Sequence, residues 1–165
     1  RRVSRPTAGR CAAAPWPPAV KADETVINLL SLLSALLLLF PDMKWVIENP
    51  AGGLALQSYM AWVGTPESPY TIHYCGYGHW YNKPTHIWTN IESWVPTGLS
   101  GNGRCGRTAD TCLYGYKEYN DSKKGYRWKH KYVLGNDSNK KIGGPHSYSY
   151  TIAVPDKLHR ELLLW

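Results

Sequence analysis

The chain has 165 residues, 43% of them hydrophobic, with 19 Lys and Arg against 12 Asp and Glu and a formal charge of +7. That is enough for one domain with a real core, and it excludes an intrinsically disordered chain. The excess of cations points to a polyanionic partner, and 8 Trp and 12 Tyr beside 1 Phe suit a surface that stacks on bases or sugars.

Residues 1–21 are rich in Arg, Ala and Pro, with Pro-Trp-Pro-Pro at 15–18, and read as an N-terminal loop. Asp23 is placed as a helix N-cap ahead of the apolar run Val26 to Phe40. Such a run spans about 22 Å as helix, short of a bilayer core of about 30 Å. The expectation is a buried helix over 24–40 packed on a sheet, with no membrane partner, stopped by Pro41-Asp42. Met43 to Ile47 is a short apolar strand in the rhythm of an α/β unit. Glu48 and Asn49 follow at its carboxyl end, where ligand sites of parallel sheets lie. A solvated turn carboxylate is the competing reading of the same residues.

A short helix is expected around 54–62, strands at 70–78 and 85–91 that could form a hairpin, and a closing strand and amphipathic helix over 150–165. Between them, 92–149 has almost no aliphatic run. Its cations Arg104, Arg107, Lys123, Lys124, Arg127 and Lys129 interleave with Tyr and Trp, a pattern suited to phosphate contact plus stacking. The expected organisation is therefore a loop at 1–21, an α/β core at 22–91 and 150–165, and a variable, basic, loop-rich insert at 92–149. The four cysteines, Cys11, Cys75, Cys105 and Cys112, show no pair at zinc-knuckle spacing. A metal site at Cys105 and Cys112 would need ligands from elsewhere. The expectation is no metal and reduced thiols in an intracellular protein.

Three ordered stretches carry a resemblance: Trp45-Val-Ile-Glu-Asn-Pro-Ala-Gly-Gly-Leu54, Tyr74-Cys-Gly-Tyr-Gly through Ile87-Trp-Thr-Asn90, and Ile152-Ala-Val-Pro-Asp-Lys-Leu-His159. Together they resemble the C-terminal part of the DNA cytosine-5 methyltransferases, in a branch similar to phage and algal-virus enzymes. The resemblance implies a partial Rossmann-like α/β fold, methylation of cytosine C5 with S-adenosylmethionine, and action on double-stranded DNA by an intracellular monomer, in the cytoplasm or nucleoid. It makes Glu48 the acid addressing the cytosine ring, a role that typically contributes about 10²–10⁴-fold. Asn49 would hold the loop and Pro50 stiffen it. Ser4-Arg5 is similar to the Ser-Arg pair that follows the family's Pro-Pro-Cys nucleophile, which would place that Cys just before Arg1; Cys11 is the rival.

The family's basic segment at the base carbonyl falls on Asn82-Lys83-Pro84-Thr85-His86, which leaves Lys83 or His86 to serve the cytosine O2, beside Thr85. The family's closing Asn-Ala-Val-Pro reads Ile152-Ala153-Val154-Pro155, so Ala153 and Val154 are its remaining candidates near the cofactor. The family's glycine-rich cofactor loop and Pro-Pro-Cys are lacking, so the chain taken alone is expected to be inactive. One alternative is a non-catalytic nucleic-acid-binding remnant. Another is an amino-methyltransferase acting on adenine N6 or cytosine N4, whose Asp/Asn-Pro-Pro-aromatic loop Glu-Asn-Pro-Ala lacks.

Overall fold

The computed structural model describes residues 17–79, 81–107, 112–130, 132–133 and 154–164. The chain divides into two compact units, Arg1–Met43 and Lys44–Trp165.

In the first unit, α1 runs from Pro17 to Leu39. It thus starts inside the segment expected to be a loop: Pro17 and Pro18 fit a first helical turn, where no intrahelical N–H bond is lost. The hydroxyls of Thr25, Ser31 and Ser34 bond the carbonyls of Lys21, Ile27 and Leu30 at 2.9 Å, which satisfies them within the helix. The expected burial is not found: the residues from Ala19 to Leu39 are exposed or half-exposed. The length argument against a membrane span also fails, because the stretch Ala19–Leu39 is long and apolar enough to cross one by length and composition. That argument counted only from Val26, whereas the helix begins at Pro17.

The second unit is built on a three-stranded sheet of order β1-β4-β2, from β1 (Val46–Pro50), β2 (Tyr70–His73) and β4 (Pro84–Thr89). Both outer strands run antiparallel to β4, with Glu48 opposite Ile87 and Tyr70 opposite the same Ile87. The antiparallel β2–β4 pair is the hairpin expected of 70–78 and 85–91, whereas β1, expected in a parallel sheet, is antiparallel to its neighbour as well. The helix–strand rhythm that suggested a parallel sheet crosses the boundary between the two units. Antiparallel neighbours, by contrast, need only short connections. The 70–78 strand ends early: after His73 the chain tightens into a 3₁₀ turn, Tyr74–Tyr77, and a two-residue strand β3 (Tyr81–Asn82). The expected helix at 54–62 is two 3₁₀ turns, Gly53–Leu56 and Ser58–Met60.

The core gathers Ile72, Tyr74, Tyr77, Ile87, Ile91, Trp94 and Leu158, with Tyr70 and Leu162 packed against it. Leu158 comes from α2 (Asp156–Leu163), the expected closing helix. An eight-residue helix is not stable alone. Its Glu161 accepts bonds from Tyr77 Oη and Thr97 N, both at 3.1 Å, and from the Thr97 hydroxyl, so it is held at both a core phenol and a loop. The closing strand expected before α2 falls mostly outside the described residues.

The insert is more regular than expected. β5 (Gly115–Asn120) and β6 (Gly125–His130) form an antiparallel hairpin, closed by a turn in which Asn120 Oδ1 accepts from Lys123 N at 3.1 Å. Lys124 takes the left-handed conformation there, at φ 50°. A final pair, β7 (Tyr132–Val133), runs parallel to β3.

Candidate functional site

Glu48 is the middle residue of β1, not its end, because the strand continues through Pro50 opposite Thr85. A proline is tolerated there because β1 is an edge strand. Side chains alternate along a strand, so Glu48 and Asn49 point to opposite faces. Glu48 shares its face with Ile87 and Thr85. Asn49 shares the other with His86 and Thr71.

Around Glu48 the structure assembles a three-membered cluster. Tyr74 Oη donates to Glu48 Oε1 at 3.0 Å, and Lys83 Nζ pairs with the same oxygen at 3.1 Å. The Lys83 ammonium also lies 4.6 Å from the Tyr74 ring centroid. Oε2 of Glu48 takes no bond from a described residue, and its carboxylate is partly open to solvent. Burial, then the Glu48 charge and hydrogen bond, push the Tyr74 phenol well above its ordinary value. Tyr74 was not foreseen as a site residue. Its signal was the Tyr-Cys-x-Tyr-Gly stretch, read only as a family likeness.

The other expected base-contacting residues scatter. Thr85 is fully buried, its hydroxyl bonded to Lys83 O at 3.3 Å. His86 bonds Thr71 Oγ1 at 3.2 Å on the far face and stacks edge-on to Trp88, and burial lowers its pKa. It therefore does not join Lys83 beside Glu48. The Asn49 amide donates to Pro50 O at 2.9 Å. Val154 is exposed, and Ser4, Arg5, Cys11 and Ala153 lie outside the described residues.

The expected phosphate-binding cations are also reordered. On one face of the hairpin Arg127 pairs with Glu118 at 3.3 Å and Lys129 pairs with the same carboxylate. Lys123 and Lys124, at the exposed tip, have no ion pair among the described residues. Tyr119 and Tyr126 meet edge-to-face at 5.3 Å on the other face, which they share with Trp128. Arg107 is exposed, and Arg104 Nε donates to Thr71 O at 3.2 Å.

A second cluster was not expected. Cys75, Cys105, Cys112 and His130 place one ligand atom each within 4.8 Å of one another. Cys75 and Cys112 are buried, and all three thiols are free. The ligands from elsewhere that Cys105 and Cys112 would require are therefore present. No spacing rule could have supplied them, since Cys75 and His130 lie far away in sequence.

Against known proteins, the chain is 35% identical over 63 residues to the "Probable DNA (cytosine-5)-methyltransferase" of Frog virus 3 (isolate Goorha). The chain is similar to a viral DNA (cytosine-5)-methyltransferase. The likeness covers 38% of this chain and 27% of that protein, so it is methyltransferase-like over part of its length. No family model matches the chain, and no solved structure does. The methyltransferase likeness noticed in the sequence thus has an independent counterpart, and of the residues it singled out, the structure brings Lys83 to Glu48.

Proposed function

We propose that the chain is part of a DNA cytosine-C5 methyltransferase in which Glu48 and Lys83 read and activate the target base. The observation that carries this reading is the Glu48–Lys83 pair at 3.1 Å, braced by Tyr74. Cytosine presents along one edge an acceptor O2, an acceptor N3 and a donor amine. A carboxyl group beside an ammonium matches that edge: Lys83 donates to O2, and Glu48 Oε2, when it carries a proton, donates that proton to N3. When a thiolate adds to C6, electron density moves onto N3, and a proton or hydrogen bond there lowers the barrier. The enamine so formed carries its nucleophilic electrons at C5, and loss of the C5 proton and then of the thiolate restores the ring after methylation.

The methyl donor in this reading is S-adenosylmethionine. Of its two expected contacts, Val154 is exposed and Ala153 lies outside the described residues. The Rossmann-like α/β fold belongs to the same proposal. Its support is that β1 is an edge strand with one side unpaired among the described residues, which leaves backbone groups able to accept a further strand. The DNA partner is supported by the tip lysines and the exposed tyrosines of the hairpin. A duplex cytosine must be flipped out, at a cost of a few kcal/mol, before C6 can be reached.

The test is methyl transfer. The chain, and longer polypeptides containing it, are incubated with duplex DNA and isotopically labelled S-adenosylmethionine, and 5-methylcytosine is read by mass spectrometry. Glu48→Gln is expected to lower single-turnover transfer about 10²–10⁴-fold while leaving DNA binding nearly intact. Equal turnover would remove Glu48 from the reaction. DNA binding with no methylation by any of these polypeptides would favour a non-catalytic remnant.

A further inference from the structure

We propose that Cys75, Cys105, Cys112 and His130 hold one Zn²⁺ ion in a tetrahedral structural site that clamps the β5–β6 hairpin to the sheet unit. This inference is independent of the methyltransferase reading.

The geometry comes first. Zinc at about 2.3 Å from sulfur and about 2.0 Å from nitrogen sets its ligand atoms about 3.5–3.8 Å apart at tetrahedral angles. His130 Nε2 lies 3.5 Å from Cys75 Sγ and 3.2 Å from Cys105 Sγ, and all four ligand atoms lie within 4.8 Å of one another. An ion at their centre requires only small side-chain adjustments. Three sulfurs and one imidazole nitrogen, with no carboxylate, form a donor set suited to Zn²⁺. Four protein ligands leave no open position, which makes the site structural and not catalytic.

The surroundings are built for it. Asn82 touches two of the ligands, its Nδ2 being 3.3 Å from His130 Nδ1 and its Oδ1 3.8 Å from Cys75 Sγ. An imidazole that gives Nε2 to a metal carries its proton on Nδ1 and needs an acceptor there. Turning the Asn82 amide over, a change its shape permits, puts Oδ1 on that proton and points an N–H at the Cys75 thiolate. Backbone contacts fix the approach of the ligand-bearing loops. His73 N bonds Gly103 O at 2.9 Å, and Leu99 N bonds Gly76 O. A Cβ on Gly76 would lie 3.0 Å from Gly103 O and 3.1 Å from Arg104 O, so glycine lets the Cys105 loop lie against the Cys75 turn.

The position explains what the ion would do. Cys112 precedes β5 and His130 ends β6, so together they grip both legs of the hairpin at its base. Cys75 and Cys105 sit on the turn after β2 and on the loop bonded to it. A two-stranded hairpin is marginal in water, and the tyrosines of this one are largely exposed. A metal is a standard staple where a core cannot do this.

The experiment is metal analysis of the chain purified without chelator, by mass spectrometry of the ions and by cobalt substitution. One zinc per chain is expected, with Co²⁺ giving the intense visible bands of a tetrahedral thiolate site. His130→Ala should lose the metal, whereas His130→Cys should keep it with an altered cobalt spectrum. That rescue separates loss of a ligand from misfolding. Asn82→Ala should weaken zinc binding about 10–100-fold, and Cys11→Ser should leave it unchanged. Any of three results overturns the proposal: no stoichiometric zinc in the reduced protein and no uptake on addition, a disulfide joining two of the three cysteines in the protein as isolated, or full zinc retention in His130→Ala.

Discussion

Removing one oxygen from Tyr74 tests the geometry of the Glu48 cluster. Tyr74 is fully buried, and its phenol donates to Glu48 Oε1 at 3.0 Å. A hydrogen bond to a charged group contributes about 1.5–3 kcal/mol. In Tyr74→Phe, Glu48 keeps Lys83 and has solvent within reach, so the low end applies, about 1.5 kcal/mol. The pH dependence is more diagnostic. Burial, and then their carboxylate neighbours Glu48 and Glu161, raise both Tyr74 and Tyr77 above the ordinary phenol value. Above about pH 10 the unfolded chain releases these protons and the folded chain keeps them, so stability must fall as pH rises, by about 1.4 kcal/mol per pH unit for each phenol. Tyr74→Phe should therefore lower the alkaline slope by about 1.4 kcal/mol per pH unit, and leave in place the slope from Tyr77 and the raised Cys75 and Cys112 thiols. The assay is urea unfolding followed by tryptophan fluorescence from about pH 8 to about pH 11, with phenolate absorbance as a second readout. Parallel alkaline slopes for wild type and Tyr74→Phe would refute the buried, carboxylate-bonded phenol.

Two further outcomes follow from the packing and the charge. Leu158→Ala empties a fully buried position in the core and should cost about 2–5 kcal/mol by denaturant unfolding, detaching α2, whereas exposed Leu163→Ala should change little. Neutralising Lys123 and Lys124 together should flatten the salt dependence of duplex binding by close to about 1.8 log units per log salt if both touch phosphate, and adding Arg127 and Lys129 should change it less, because Glu118 already pairs with them. Identical slopes in filter-binding or anisotropy titrations would mean that the hairpin tip does not contact DNA.

Local chemistry made several features legible in the sequence. The apolar residues of 26–40 announced a helix. The β-branched and aromatic run Thr85 to Thr89 announced a strand, and the spacing of Leu158 and Leu162 announced a helix with one buried face. Glu48 drew notice because a carboxylate ends an apolar run, whereas Lys83 was singled out only through the family resemblance, as the cation of the matching segment. The alternation in Gly115–Asn120 and Gly125–His130, with Asp-Ser-Lys-Lys between, was also readable as a hairpin but was masked by the abundance of polar residues. Each of these signals lies within a few residues of its consequence.

Only the tertiary structure decided which partners met. Strand direction depends on which backbones pair, and nothing in Val46–Pro50 states that it will lie antiparallel to Pro84–Thr89. The register then sets His86 on the face opposite Glu48, while the turn after β2 carries Tyr74 to Glu48 and Cys75 toward the other ligands. Cys75, Cys105, Cys112 and His130 show no spacing signature because their convergence is made by a turn, a glycine-rich loop and both ends of a hairpin. A sequence fixes the chemistry each residue can offer. The distance between two residues far apart in the chain is set by the sum of all the packing between them, which no local pattern records.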